Sequence, residues 1–257
     1  MEYIDPWLLL QGGKAEQEQG LRLVRASHAQ QPNPSHGMQL GIALLWLRKY
    51  AEAQEHFLST IETSSVCGDS DFGKAGVAMW CCGKPGDAVS QWRAGLKAKY
   101  ARASGLGVRM PLLLFFAAVR QPSSFDRELA GKILQETILD RRIKNWPGPL
   151  ARLALGQISD TECDQYCRGI SPFARYGPQE ISNRLWLAAL YKSVLPLQQR
   201  ESSEFHNFMR DLSDTSQPEW RDVNHVFTAR IWCEEFFLAR YEASPPGPAT
   251  VPKGQPE

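Results

Sequence analysis

A short segment of this chain occurs twice in nearly the same form, and this repetition limits the folds that the chain can adopt. The segment Leu47–Phe57 returns 35 residues later, so that Ala53 corresponds to Ala88 and Phe57 to Trp92. In both copies the small residue precedes the aromatic one by four positions, which places the two side chains on one face of a helix. Each copy follows a short turn and an earlier apolar segment. A helix–turn–helix unit that recurs at about 34 residues predicts an array of helical repeats.

Apolar residues recur at helical spacings of three and four along most of the remaining chain, and no alternating strand pattern is visible. The predicted fold is therefore all-α, built from antiparallel helical hairpins. We expect a single helical domain over 1–242, with an irregular lead-in over 1–13, and a disordered or extended tail over 243–257, where five prolines occur. Further helices are predicted at Lys14–Gln31, Ala51–Thr63, Phe125–Arg142, Gln179–Lys192, Glu201–Leu212 and Glu219–Tyr241.

Capping residues predict where some helices begin, and a long apolar run predicts which helix is most buried in the core. Ser35 and Ser123 are expected to act as N-caps, and Ser159 followed by Glu162 matches a capping box. The segment Leu112–Val119 is apolar on all sides, which predicts the most deeply buried helix of the fold.

Charge and composition narrow the functional classes. The formal net charge is +1, which argues against nucleic-acid binding, because contacts to phosphates need a basic surface. Six cysteines in a chain of 257 residues do not suggest a disulfide framework, and the adjacent Cys81 and Cys82 are typical of buried helix residues in a reducing compartment. The apolar patch Trp7–Leu10 is too short for a signal peptide, and no apolar run reaches membrane-spanning length. We expect a soluble, cytoplasmic protein that does not enter a membrane.

The repeated segment resembles the tetratricopeptide repeat, in which a leucine, small residues and an aromatic residue stand at fixed positions. Several positions depart from the pattern of that family. Arg48 stands where glycine is usual, Pro85 replaces a tyrosine, and Thr60 and Gly95 replace a later alanine. A third and weaker unit begins at Leu155-Gly156. The resemblance implies about three units stacked as a degenerate tetratricopeptide-like array.

A longer resemblance concerns the segments Trp80–Leu96 and Val108–Arg120. Both are similar to segments of tetratricopeptide-like proteins found beside bacterial polymorphic and Rhs-type toxins. Such proteins are thought to be immunity factors that bind and block a cognate toxin domain. The resemblance implies that role for this chain, whereas spacing and composition alone do not indicate it.

The tetratricopeptide register implies which side chains face the inner groove of the array. Six residues are implied: Leu45, Lys49, Trp80, Lys84, Leu153 and Gln157. Glu52 and Asp87 would lie at the edge of this groove. Trp80 is the strongest candidate for a binding hot spot, because tryptophan is enriched at such positions. The alternative interpretation is that Leu45, Trp80 and Leu153 are core residues. The candidate partner-binding residues are Lys49, Glu52, Trp80, Lys84, Asp87 and Gln157.

No residue pattern indicates catalysis, a metal site or a cofactor. The five histidines are scattered, and Cys163 and Cys167 lie four apart on a predicted helix, which we interpret as buried free cysteines. The basic cluster at 141–144 is interpreted as favourable placement at a helix C-terminus. Arg109 and Arg120 flank the apolar helix, and one interpretation is that they pair with acidic groups inside the fold. We therefore expect a protein that is not an enzyme and needs no metal or cofactor.

Three functional hypotheses follow. The first is an immunity protein that occludes a toxin domain, and the second is a scaffold or chaperone adaptor that binds a peptide in the groove. Lys49 and Lys84 match only part of a clamp for a terminal carboxylate, which the second would need. A helical enzyme is the weakest hypothesis. The apolar segment Val226–Tyr241 either mediates a homodimer or caps the array internally.

Overall fold

The computed structural model describes residues 6–64, 67–98, 107–139, 146–169, 178–194, 203–213 and 233–243. Within these ranges the regular structure consists of thirteen α-helices and contains no β-strand, which confirms the all-α prediction there. The helices, numbered in chain order, are α1 Pro6–Leu10, α2 Lys14–Gln30, α3 Pro34–Trp46, α4 Tyr50–Thr63, α5 Asp69–Cys81, α6 Pro85–Leu96, α7 Arg109–Arg120, α8 Arg127–Ile138, α9 Gly148–Ala154, α10 Asp160–Arg168, α11 Pro178–Val194, α12 Ser203–Ser213 and α13 Cys233–Glu242.

Several predictions lie outside the described residues: the tail beyond Ala243, the basic cluster at 141–144, and the part of the last predicted helix at 219–232. Among the helices that the structure describes, none combines the length and the apolar character that crossing a membrane requires.

Each described helix packs against the next one along the chain, from α1 through to α13. Contacts between sequence neighbours of this kind are typical of helical repeat proteins, in which each unit buries its apolar face on the adjacent unit. The last helix, α13, also packs against α5 and α11, which precede it by several helices in the sequence. The chain therefore returns to its own first half at its C-terminal helix.

The 35-residue offset seen in the sequence recurs in the packing of two helix pairs, α3 with α4 and α5 with α6. In the first, a Cβ atom added at Gly41 would lie 2.3 Å from the ring of Phe57; in the second, one added at Gly76 would lie 2.2 Å from the indole of Trp92. Both aromatic side chains are buried. A glycine on the first helix of each pair therefore makes room for the aromatic residue of the second helix, and any larger residue there would force the two helices apart.

The apolar helix α7 lies in the core as predicted, since every residue from Arg109 to Val119 is buried. Because apolar side chains lie on all sides of this helix, it has no polar face to expose to water. The neighbouring helices that cover it are α5, α6, α8, α9 and α11. Cys163 and Cys167 on α10 are also buried, in agreement with their interpretation as core cysteines.

Two of the predicted caps are wrong, because another capping residue stands within three residues of each predicted one. Asn33, rather than Ser35, caps α3: its side chain accepts a hydrogen bond of 2.9 Å from the backbone N–H of His36, and the helix already begins at Pro34. Proline fits the first helical position because its missing N–H would be unpaired there. The predicted cap Ser35 lies two residues after Asn33, inside the first turn of α3.

At α8 the cap is Asp126, which accepts 2.7 Å from the N–H of Leu129, so Ser123 lies before the helix. The capping box of α10 is confirmed, with Ser159 N–H donating to Glu162 at 2.7 Å. The lead-in predicted to be irregular contains the five-residue helix α1.

Candidate functional site

Three turns of the same geometry follow α3, α5 and α9. In each turn one residue donates its N–H to the carbonyl three residues back, and the next residue donates to the carbonyl five residues back. The pairs are Arg48 to Leu45 and Lys49 to Leu44, Gly83 to Trp80 and Lys84 to Met79, and Gly156 to Leu153 and Gln157 to Arg152, at 2.9–3.0 Å. This is the Schellman arrangement, which ends a helix with one residue in the left-handed conformation.

Arg48 is the exception among these three turns. Its φ angle is +58°, whereas Gly83 and Gly156 occupy the equivalent position with φ of +73° and +67°. Glycine adopts this conformation freely, but an L-residue with a side chain loses about 1–2 kcal/mol there. Arg48 is also the only non-glycine residue with positive φ in the described part of the chain.

A cavity of about 500 Å³ opens between the first and the second of these turns. Its lining combines both turns with the start of α4 and the end of α5: Arg48, Lys49, Tyr50, Ala51, Glu52, Cys81, Cys82 and Lys84. The cationic residues among these are exposed to solvent. The cavity is therefore open, and charged side chains surround its mouth.

Glu52 is the single carboxylate in the lining, and it already has two cationic partners. Lys49 donates to its Oε1 atom at 2.7 Å, and Arg25 on α2 forms an ion pair with its Oε2 atom. The hydrogen bond from Lys49 is the main cause that holds the pKa of Glu52 below its usual range; burial opposes it, and the charges of Lys49 and Arg25 lower the pKa further. Lys84 donates to the side-chain oxygen of Gln54 at 3.2 Å.

Tyr50, Cys81 and Cys82 also line the cavity and are less exposed than its cationic residues. Burial raises the pKa of Tyr50 to about 12, so its hydroxyl stays protonated at neutral pH. The ring packs edge-on against Tyr241 of α13, with centroids 5.9 Å apart. Burial likewise raises the pKa of the Cys81 and Cys82 thiols, which disfavours the reactive thiolate form of both.

Trp80, the predicted hot spot, does not line this cavity. It is only 5% exposed, and its indole N–H donates to Glu242 of α13 at 3.0 Å. Its ring stacks on Trp92 and meets Phe116 edge-on, at centroid distances of 5.8 and 5.5 Å. A partner can reach this side chain only after α13 has moved. Leu45 and Leu153, implied to face the same groove, are buried too.

A set of buried charges in the interior links the start of α13 to α5 and α7. Glu234 Oε1 lies 3.3 Å from Lys74 Nζ and 3.2 Å from the guanidinium of Arg109, and all three side chains are at most 2% exposed. At the other end of α13, Arg120 donates to Glu242 at 2.9 Å. The interpretation that Arg109 and Arg120 pair with acidic groups inside the fold is thus confirmed.

The remaining candidate residues lie apart from the cavity. Asp87 is exposed in the first turn of α6, and Gln157 is exposed at the third turn, where its amide donates to Gln135 at 2.6 Å. Of the six predicted binding residues, the structure brings together Lys49, Glu52 and Lys84. The sequence analysis did not include Arg48 among the candidate residues, although Arg48 lines the cavity. The available signal was that Arg48 stands where the repeat pattern usually has glycine.

Within the described residues, no group of three or more His, Cys, Asp and Glu side chains is arranged to hold a metal ion. Comparison of the chain with protein-family models, with curated proteins and with solved structures found no match.

Proposed function

We propose that this chain is a non-enzymatic protein-binding module whose hairpins form a degenerate tetratricopeptide-like array, and that it acts as an immunity protein against a bacterial toxin. In this role it binds one cognate toxin domain and covers that domain's active site or substrate path. Occlusion needs affinity and shape, but no chemistry on the side of the inhibitor. The affinity of such complexes rests on a few well-placed anchors rather than on total area.

The observation that carries the proposal is the placement of Lys49, Glu52 and Lys84 around one open cavity at the helical turns. The backbone that carries these side chains is held in place, because Lys49 and Lys84 belong to hydrogen-bonded turns and Glu52 to the first turn of α4. Exposed charges of both signs on a well-ordered backbone favour fast and selective association with a partner of complementary charge. The recurrence of the same turn after α3, α5 and α9 supports the repeat architecture.

The adaptor hypothesis, with a peptide in the inner groove, receives less support. Trp80, the strongest candidate for contacting a peptide in that groove, is buried and donates a hydrogen bond to Glu242 of α13. A peptide would have to displace this helix together with its buried ion pairs before it could bind there. We therefore expect the partner to dock on the turns instead.

The proposal predicts that the gene immediately upstream encodes a toxin, and it is tested by co-expressing the chain with that gene product and measuring both survival of the cells and co-purification. We expect protection of the cells and a 1:1 complex. Lys84→Glu should weaken both, whereas Lys132→Glu, which changes an exposed lysine on α8, should affect neither. Cells that die at the same rate with and without the chain would contradict the immunity role.

A further inference from the structure

Two histidines meet at the place where α2, α3 and α4 come together. His28 on α2 and His56 on α4 are half-buried, and their rings pack edge to face with centroids 5.4 Å apart. A Cβ atom added at Gly37 of α3 would lie 3.6 Å from the ring of His28 and 3.7 Å from the ring of His56. All three helices therefore take part in this contact.

The hydrogen bonds of this contact suit the neutral forms of both rings. The His56 Nε2–H group donates to the backbone carbonyl of Gly37 at 2.6 Å, so a second proton on this ring would go to its other nitrogen. The Nδ1 atom of His28 is buried and has no hydrogen-bond partner. A proton on that atom would make it a charged donor without an acceptor, which costs more than an unpaired neutral nitrogen.

The charged groups around the pair do not balance a positive charge there. Arg25 on α2 and Glu52 on α4 lie about one turn before the two histidines and form an ion pair with each other. Glu55 precedes His56 in the chain but is exposed to solvent, and on α3 the Nδ1 atom of His36 forms a hydrogen bond of 2.9 Å with a backbone carbonyl. Among the described titratable groups, only the other histidine of the pair contributes a charge effect at His56.

The surroundings of His56 determine how this contact responds to pH. Burial is the main cause that lowers the pKa of His56, and the charge of His28 lowers it further, whereas the hydrogen bond to Gly37 raises it. The folded chain therefore binds this proton less tightly than the unfolded chain, in which a histidine titrates near pH 6.5. The stabilisation is complete above about pH 6.5 and is lost as the pH falls below that value.

We propose that His28 and His56 form an acid-sensitive contact, which holds the C-terminal half of α2 on α3 and α4 and breaks when both rings become protonated. Two imidazolium cations at this distance repel each other, and histidine is the side chain whose charge changes between pH 5 and 8. The other end of this region has a separate attachment, because the indole N–H of Trp46 donates to the carbonyl of Leu10 at 2.7 Å. The inference goes beyond the proposed immunity role, because it concerns a response to pH and does not depend on the partner.

The test measures hydrogen exchange of the backbone amides in the full-length chain at pH 7.5 and pH 5.5, corrected for the intrinsic effect of pH on exchange. We expect the protection of residues 24–30 to fall about tenfold in acid, the change that one proton per pH unit produces. At pH 5.5 these amides should exchange faster than those of α7, which report on complete unfolding. Unchanged protection of residues 24–30, or protection equal to that of α7, would overturn the proposal.

His56→Gln is the matching variant, because its amide can still donate to Gly37 but does not titrate. We expect the protection of residues 24–30 in this variant to fall less than about twofold over the same pH range. His206→Gln, which removes a half-buried histidine on α12, serves as the control and should behave like the unmodified chain. An equal fall in all three proteins would overturn the proposal.

A second variant tests whether the two rings act as a pair. In His28→Gln, the NMR signals of the His56 ring should titrate at a higher pH than in the unmodified chain, because the repulsion between the two rings is gone. An unchanged titration midpoint of His56 would contradict the coupling of the two histidines.

Discussion

The inner side of the molecule and its turns both carry pairs of opposite charge, but in very different surroundings. Inside, Lys74, Arg109 and Glu234 are almost completely hidden from water, whereas at the turns Lys49 and Glu52 are each more than two-fifths exposed. A buried charge that loses its partner is strongly destabilising, whereas an exposed pair contributes little. The inner charges therefore hold α13 in one position, and the charges at the turns remain available for a partner.

The largest effect is expected from breaking the inner set. Glu234→Leu should lower the free energy of unfolding by about 3–5 kcal/mol, because Lys74 and Arg109 lose the carboxylate that balances them in the interior. Urea denaturation followed by circular dichroism measures this change. A loss below about 1 kcal/mol would mean that the inner charges behave like those on the surface.

The second effect depends on pH and concerns Glu235, which is buried beside the inner set. Burial, together with the adjacent negative charge of Glu234, raises its pKa to about 8, although Arg109 acts in the opposite direction. Its carboxyl accepts a hydrogen bond of 3.3 Å from Tyr191. The folded state therefore keeps a proton that the unfolded chain releases near pH 4.5.

For a raised pKa of this kind, the stabilisation is complete below pH 4.5 and is lost as the pH rises towards 8, by up to about 1.4 kcal/mol per pH unit. Glu235→Gln keeps the shape and removes the titration. The difference in stability between this variant and the unmodified chain should therefore change in favour of the variant from pH 5 to pH 8. A stability difference that is independent of pH would contradict the raised pKa of Glu235. The titration of the histidines does not affect this difference, because both proteins contain them.

A smaller effect, with the opposite sign, is expected at the turns. Arg48→Gly should raise the free energy of unfolding by about 1 kcal/mol, because relief of the left-handed backbone exceeds the entropy that glycine adds to the unfolded chain. Gly83→Ala at the equivalent position should lower it by a similar amount. Thermal unfolding of both variants sharpens the comparison, and a loss of stability in Arg48→Gly would show that the arginine is retained for structure.

The smallest effect is expected for Glu52→Ala. Its ion pairs with Lys49 and Arg25 are exposed, so the loss of stability should stay below about 1 kcal/mol and should shrink further in high salt. Urea denaturation at low and at high salt measures the loss of stability and its dependence on salt. A loss as large as that of Glu234→Leu would remove the distinction between the inner side and the turns.

The sequence could predict whatever depends on local pattern. The 35-residue repetition places Phe57 and Trp92 in the core, and the apolar run of α7 predicts its burial, because side-chain periodicity follows from helix geometry alone. Ser159 with Glu162 was sufficient to locate the start of α10. Asn33 and Asp126 were missed as caps because several capping residues stand close together at both places, and local sequence does not select among them.

The placement of α13 could not be predicted in this way. Glu234 meets Arg109 and Lys74 across 125 and 160 residues of sequence, and no pattern in one sequence indicates such a pairing. For the same reason Trp80, chosen as a hot spot, is covered by Glu242. Of the two alternatives for the apolar C-terminal segment, the described part packs internally, and the homodimer remains a prediction.

The most direct measurement is a calorimetric titration of the unmodified chain, Lys84→Glu and Lys132→Glu with the product of the gene immediately upstream, which the proposed function predicts to be the toxin. If the turns are the binding surface, the unmodified chain and Lys132→Glu bind with equal affinity and 1:1 stoichiometry, and Lys84→Glu binds at least tenfold more weakly. Absence of binding by the unmodified chain would contradict the proposed function. Equal affinity of all three proteins would contradict the placement of the partner at the turns.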